Sequence, residues 1–331
     1  MRLAARLTIA GLAVTVGAAA AGCSAAPGLA YAHGAAAAKR AADPVSSSQV
    51  VIAMVPASAR GKTASGPMLA VAGAPQGVKA KEGVLVDAAT GQVLWAQGLT
   101  APRPIASITK VMTALVILRA GGLNRELAVP GAVTGYVARY SANAAGLIPG
   151  QRFTVDELLR IMLIVSAADA AYTLASAYGP GLPAFVAKMN AEAAALGLTG
   201  THFTSPDGLP YPTETSTYST PANLVILGEA AMAYPEFRSI VARRSYNLPK
   251  TSTHSAVSVT NSDSLIYTYR GAVGIKDGFT NAAGHTLLFE AVRNGRTLIG
   301  VVLGSPPTGF TAAAQDAAKV LTWGFTLKRS G

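Results

Sequence analysis

Pro104-Ile105-Ala106-Ser107-Ile108-Thr109-Lys110-Val111-Met112-Thr113-Ala114-Leu115 reads as a loop running into a buried helix, and Gly121-Gly122 supplies the helix stop. Positions three apart share one face of a helix, so the Ser107 hydroxyl and the Lys110 amine are expected to meet there. A serine hydroxyl is a weak nucleophile until a neighbouring base takes its proton, and a desolvated lysine can be that base. Ser107-Ile108-Thr109-Lys110 is the only Ser-x-x-Lys of the chain. Four common letters prove little alone, and their meaning depends on what surrounds them.

Order is expected to begin just upstream, where Gly83-Val84-Leu85-Val86-Asp87 and Gln92-Val93-Leu94-Trp95-Ala96 read as a hairpin about the turn Ala88-Ala89-Thr90-Gly91. Downstream, a polar, glycine-bearing stretch runs to Gly150. Thr154-Val155-Asp156-Glu157 then has the capping-box spacing and opens a core helix carrying the chain to Ser166-Ala167-Ala168-Asp169. Further helices are expected over 170–177, 185–196 and from Thr220-Pro221 to about Met232, the last with proline at its first helical position. Val273-Gly274-Ile275-Lys276, 285–292 and 297–303 read as strands, the last two joined by an Asn294-Gly295 hairpin turn, and 312–325 closes the chain as a helix. Strands at both ends with helices between predict one α+β domain, 82–329, whose first and last segments share an antiparallel sheet.

The 331 residues are half apolar, enough to bury a core, and the formal net charge is +11. Much of the basic excess lies early, in Arg2, Arg6, Lys39, Arg40, Arg60, Lys62, Lys79 and Lys81. No basic run is interleaved with aromatics, so nucleic acid is not an expected partner, and an anionic membrane or wall surface fits the charge better. Residues 1–22 read as a secretory signal peptide: two arginines, then an apolar run too short and alanine-rich for a membrane span. Cys23, in Ala20-Ala21-Gly22-Cys23-Ser24, is the single cysteine, so the chain can form no internal disulfide. Its position resembles a bacterial lipobox, in which the cysteine is lipidated; cleavage after Ala30-Tyr31-Ala32 would instead discard it. Both readings place the protein outside the cytoplasm, as a lipoprotein on the outer face of the membrane or secreted to the wall. Residues 23–81, rich in Ala, Gly, Ser and Pro, read as a flexible tether, with Val50-Val51-Ile52-Ala53-Met54-Val55 a weak strand candidate. His33, His202, His254 and His285 show no metal-ligand spacing, so neither a metal nor another cofactor is expected.

Taken together, the ordered blocks resemble the serine D-Ala-D-Ala carboxypeptidases, the low-molecular-mass penicillin-binding proteins of peptidase family S11. The resemblance runs over 83–329. It rests on the Ser107 helix behind its strand pair, on Leu147-Ile148-Pro149-Gly150 and on Thr154-Val155-Asp156-Glu157-Leu158-Leu159. It continues through Ser166, Leu198-Thr199-Gly200-Thr201-His202-Phe203, Asp207-Gly208-Leu209-Pro210 and Phe237-Arg238-Ser239-Ile240-Val241-Ala242. Gly274-Ile275-Lys276 and Leu321-Thr322-Trp323-Gly324-Phe325 complete it. The resemblance implies a β-lactamase/transpeptidase-like fold, with a mainly helical subdomain beside the sheet. It implies a penicillin-binding enzyme that removes the terminal D-alanine of peptidoglycan stem peptides through an acyl-enzyme, with β-lactams as covalent inhibitors. By position, Ser107 would be the nucleophile, Lys110 its base and Ser166 a proton relay. Lys276, Asp277, Phe279 and Thr280 would line the substrate side, and the backbone N–H groups of Ser107 and Phe279 would form the oxyanion hole.

Two positions depart from the family pattern: its second-element asparagine is Ala168, and its third-element threonine is Asp277. Ser141-Ala142-Asn143 and Ser245-Tyr246-Asn247 also read Ser-x-Asn but lack the family spacing, and are expected to be decoys. An ionised Asp277 in the cleft would repel a substrate carboxylate, whereas strand alternation could turn it away and leave Thr280 to offer a hydroxyl. These departures leave open a module that binds wall peptides without turning them over. A class A β-lactamase ranks lower, because no glutamate between Ser166 and Lys276 has an asparagine four residues on. A transpeptidase would differ only in the acyl acceptor.

Overall fold

The computed structural model of the chain describes residues 73–328. The expected signal peptide, Cys23, the strand candidate at 50–55 and the expected tether up to residue 72 lie outside the described residues.

Five strands form the main sheet: β1 (Glu82–Asp87), β2 (Gln92–Gln97) and, from the far end of the chain, β9 (Ala272–Thr280), β10 (Gly284–Arg293) and β11 (Arg296–Ser305). Their order is β2-β1-β11-β10-β9, every neighbour antiparallel. The first and last segments of the domain thus share one sheet, as the sequence predicts. The β10–β11 turn has Asn294 and Gly295 both left-handed (φ 48° and 69°), the geometry that Asn-Gly favours in a two-residue hairpin. Short strand pairs complete the β-structure: β3 (Arg103–Pro104) with β6 (Tyr218–Ser219), β4 (Glu126–Ala128) with β5 (Arg152–Thr154), and β7 (Ser245–Leu248) with β8 (Val257–Thr260).

Alternation along each strand sends side chains to opposite faces. Val84, Val86, Leu288, Ile299 and Val301 face the helical body, while Leu85, Leu287, Phe289, Leu298 and Val302 face α9 (Ala312–Thr326). Both faces are covered, which is why these strands read as nearly continuous apolar runs. The helical body comprises α1 (Thr109–Ala120), α2 (Val133–Tyr140), α3 (Val155–Ile164), α4 (Ala168–Tyr178), α5 (Leu182–Ala195), α6 (Pro221–Met232), α7 (Pro235–Val241) and α8 (Leu265–Thr268). Helix α1 is buried along most of its length. The capping box expected at α3 forms in full: Thr154 Oγ1 accepts from Glu157 N, and Thr154 N donates to the Glu157 carboxylate. Thr220 Oγ1 caps α6 by accepting from Asn223 N. No helix among the described residues is long and apolar enough to cross a membrane.

The structure adds elements that the sequence does not announce. Helix α2 occupies part of the stretch expected to be a polar connection; Val133, Tyr136, Val137 and Tyr140 recur along it at helical spacing. Helix α5 starts three residues early because Pro183 suits a first turn. The chain also joins the fold before the expected tether ends. Lys79 N donates to Asp316 Oδ1 (3.0 Å), Lys81 N donates to Leu303 O (2.9 Å), and Ala80 is buried.

A buried ion pair ties the two ends of the domain together. Arg296 Nε donates to Asp87 Oδ2 at 2.8 Å, and its Nη1 donates to Gly324 O and Leu327 O at the C-terminal end of α9. Asp87→Ala would strand a buried guanidinium and should cost about 3–5 kcal/mol. A urea titration is expected to show a lower midpoint at unchanged slope.

Candidate active site

Ser107 lies in a 3-10 turn, Ala106–Ile108, immediately ahead of α1, rather than inside the helix as expected. The cause is Ala106, which sits in the left-handed region at φ 48°, a conformation that costs an L-residue about 1–3 kcal/mol and persists only where neighbours enforce it. Those neighbours are identifiable. Thr109 Oγ1 donates to Ala106 O at 2.8 Å, and Thr286 Oγ1 of β10 donates to Ile105 O at 3.3 Å. From one side Gly208, at φ 81°, approaches so closely that a Cβ there would stand 1.9 Å from Ala106 O. From the other, a Cβ on Gly278 of β9 would stand 2.8 Å from Ser107 N. Two glycines therefore let a loop and a strand clamp the turn.

The three-residue spacing survives the change of helix type. Lys110 Nζ lies 3.1 Å from Ser107 Oγ and donates to Asp207 O at 3.0 Å. Its side chain is 2% exposed. Burial depresses its pKa, as does the Lys276 ammonium; Asp207, Asp277 and Asp169 pull the other way, and the balance leaves it at about 8. Close to neutrality, an appreciable fraction of Lys110 is a free amine within reach of a serine hydroxyl.

Ser166 lies between α3 and α4, buried and left-handed at φ 65°. It does not cap α4, whose N-cap is Ala167. Asp169, three residues on, spends its carboxylate on Ala145 N (3.1 Å), Leu147 N (2.9 Å) and Ala170 N (2.9 Å), holding the 143–147 loop against the helix start. Asn143 belongs to the same corner: its carbonyl accepts from Ala168 N at 2.8 Å, and its Nδ2 donates to Val165 O. Set aside on spacing, Asn143 proves to brace the Ser166 turn.

Strand β9 forms an edge of the sheet and brings the remaining predicted residues. Lys276 is 1% exposed, with Nζ 2.5 Å from Asp277 Oδ1 and 3.1 Å from Asp277 O. Asp277 is not turned away from Lys276; its Oδ1 also accepts from Ser262 Oγ at 2.7 Å. Burial raises the Asp277 pKa, but the Lys276 ammonium and these hydrogen bonds outweigh it and hold the carboxyl below the usual range. Thr280 Oγ1 accepts from Ala283 N in the β9–β10 turn, and Phe279 is largely exposed with its ring 4.5 Å from that of His285.

Residues that sequence reading left out of the site complete it. Asp207 is fully buried, and both its oxygens accept from Tyr136 OH at 3.0 Å. Tyr136 sits in α2, a helix absent from the sequence reading, and its ring packs on Tyr140 and Tyr172. Ser262 and Asp263 reach β9 from the segment ahead of α8. Asp263 is buried, its pKa pushed up to about 7 by burial and then by Asp277. The block containing Asp207 was visible in the sequence; no local signal marked Ser262.

Residues 69–307 match the family described as D-alanyl-D-alanine carboxypeptidase. A D-alanyl-D-alanine carboxypeptidase of Streptomyces sp. is 35% identical over 262 residues, covering 76% of this chain and 88% of that protein. One from Mycobacterium tuberculosis is 40% identical over 245 residues, covering 74% and 81%. Among solved structures, the Streptomyces K15 DD-transpeptidase superposes with a TM-score of 0.70 at 35% identity, over 76% of this chain and 98% of the other.

If Lys110 must be neutral to activate Ser107, labelling of Ser107 by a serine-directed acylating agent should rise with pH through about 8. In Asp277→Asn, one carboxylate that raises the Lys110 pKa is gone and the Lys276 ammonium is unopposed. The acid limb is then expected to move to lower pH, as read from the pH dependence of the labelling rate.

Proposed function

The chain belongs to the D-alanyl-D-alanine carboxypeptidase family and is a serine-type D-Ala-D-Ala carboxypeptidase, and from that premise we propose that Ser107 is its acylated nucleophile and Lys110 the base that activates it. One observation carries the assignment: a buried amine with a depressed pKa lies 3.1 Å from the hydroxyl of a clamped turn.

Lys110 Nζ takes the hydroxyl proton as Ser107 Oγ bonds to the carbonyl carbon of the penultimate D-alanine. The oxyanion is held by the backbone N–H groups of Ser107 and Phe279. The carbon–nitrogen bond then breaks, and the proton passes through the Ser166 hydroxyl to the departing amine, releasing D-alanine. Water attacks the ester, Lys110 accepts its proton, and the shortened peptide leaves with a new carboxylate while Ser107 regains its hydrogen. Transfer to an amine instead of water would be transpeptidation. Ala168 offers no carboxamide to the substrate, and a missing hydrogen bond of that kind slows an enzyme about ten- to a hundred-fold without abolishing turnover. Lys276, Asp277, Phe279 and Thr280 form the wall on the leaving-group side. The substrates are peptidoglycan stem peptides, and β-lactams acylate the same serine.

The enzyme works outside the cytoplasm. A lipid on Cys23 would hold it at the membrane, and the tether would give the domain reach into the wall.

Fluorescent penicillin should label the wild-type protein and not Ser107→Ala, and D-alanine release from a stem-peptide analogue should fall by at least about a thousandfold in that variant. Label retained by Ser107→Ala would refute the nucleophile assignment. In bacteria expressing the full chain, Cys23→Ala is expected to shift the protein from the membrane fraction to the soluble fraction. Unchanged partitioning would argue for attachment by another route.

A further inference from the structure

The two faces of the main sheet differ in what they show to solvent. The face away from Ser107 is covered by α9, whose outer side carries exposed Gln315, Thr322 and Thr326 and no exposed acid. The one carboxylate of that helix, Asp316, is buried and accepts from Lys79 N, Ser305 Oγ and Lys319 Nζ. Six bases stand around it. Lys79 and Lys81 precede β1, Lys319 is on α9 and Lys328 just past it. Arg293 lies over the Phe325 ring near the end of the helix, and its Nε donates to Arg270 O. Apart from Lys319, none of the six has a carboxylate partner among the described residues. The exposed acids of the described residues, Glu126, Glu214 and Glu236, lie elsewhere, in β4, in the loop ahead of β6 and in α7.

Apolar groups share this face. Phe310, in the loop entering α9, is 94% exposed. Farther along, Tyr269, Ala318 and Trp323 line a groove of about 450 Å³ together with Lys319. Aromatic rings set among lysines suit the headgroup layer of a bilayer, where rings enter the interface and ammonium groups stay with the phosphates. A soluble phosphate polymer would satisfy the bases and leave Phe310 and the groove in water. The chain also arrives here. Gly73, the first described residue, lies against Trp323, where a Cβ would stand 4.0 Å from the indole Nε1, and Cys23 is fifty residues upstream.

We infer that the α9 face is a membrane-apposed surface that lays the domain on an anionic phospholipid bilayer. Ser107 is on the other side of the sheet. Ile108 and Val111, beside it in the turn and in α1, belong to the core between the sheet and the helical body, whereas α9 packs on the opposite core. A domain seated this way keeps its nucleophile clear of the lipid and turned toward the wall. The contact is peripheral and weakens with salt, so it orients the domain without replacing an anchor. It depends neither on the acyl-enzyme reading of Ser107 nor on a lipid at Cys23.

The test uses the full chain carrying Cys23→Ala, so that no lipid contributes, at low ionic strength. Vesicles are phosphatidylcholine alone or with about one-third phosphatidylglycerol. Sedimentation with the anionic vesicles should far exceed that with the neutral ones and be lost at high salt. A lysine near the surface is worth about fivefold in partitioning, so Lys79→Gln/Lys81→Gln/Lys328→Gln should weaken binding ~100-fold. Lys188→Gln/Arg243→Gln/Lys250→Gln removes the same charge from the helical body and should leave binding within about twofold. Phe310→Ser should weaken it about tenfold. The leader's own affinity is common to every variant. With Trp95→Phe leaving Trp323 as the single tryptophan, lipids brominated on their acyl chains should quench its fluorescence. Vesicle-bound protein should still be labelled at Ser107 by fluorescent penicillin. Equal losses in the two triple variants, no preference for anionic vesicles, or an unquenched Trp323 in bound protein overturns the inference. So does a Ser107 that vesicles block, or binding to immobilised polyphosphate without binding to vesicles. Should the first triple variant fail to fold, Phe310→Ser and the quenching decide. Ser107 unlabelled even without vesicles refutes the nucleophile assignment alone, and sedimentation and quenching then decide this inference.

Discussion

A lysine can serve as a base near neutral pH only if its surroundings make the ammonium expensive, and burial of Lys110 is the constraint on which the rest of the structure depends. The amine lies under a strained turn, bonded to Ser107 Oγ and to the Asp207 carbonyl, and desolvation is the largest cause of its depressed pKa. Burying it requires α1 to run through the middle of the domain, with helices around it and the sheet beside it. It also requires the turn to be closed from above and below, which Gly208 and Gly278 allow because a side chain at either would collide with the Ala106–Ser107 backbone. The left-handed residues Ala106 and Ser166 lie at two of the proposed catalytic corners, where strain is held by tertiary packing and not by local preference.

The second organising feature is the balance of charge along the edge of β9. A lone ammonium at Lys276 would push the Lys110 pKa down further and offer a free cation to the cleft. Pairing it with Asp277 cancels much of both effects, and Ser262 keeps the carboxylate in place. The two departures from the family pattern therefore differ in kind. Ala168 removes a polar group from a corner that Asn143 and Asp169 still brace through the backbone. Asp277 adds a charge beside Lys276 on the edge strand.

Much of this was legible in the chain because it rests on short-range rules. The capping box at Thr154 and Glu157, the Asn294-Gly295 turn and the apolar runs of β1, β10 and β11 depend on neighbours a few residues away, and all appear where expected. Ser107 and Lys110 meet because a separation of three puts them together in either a 3-10 or an α-helical turn. Helix α2 escaped notice because it is only two turns long and carries Gly135, although Val133, Tyr136, Val137 and Tyr140 recur at helical spacing, and Tyr136 was lost with it. Asn143 had the right letters at an uninformative spacing, and no periodic pattern points to Ser262.

By itself the sequence determined the fold class, the union of the domain's first and last strands in one antiparallel sheet and the meeting of Ser107 with Lys110. These follow from propensity, alternation and helical spacing, which act over a handful of residues. Only the tertiary structure decided that Lys110 is buried deeply enough to bring its pKa down to about 8, and that Asp207 and Tyr136 stand behind it. It also decided that Asp277 turns toward Lys276 and not away. Burial and charge pairing are set by residues far apart in the chain: Lys110 and Asp207 are separated by 97 positions, Tyr136 and Asp207 by 71. No local pattern encodes contacts at such separations, and they exist only once the core has closed.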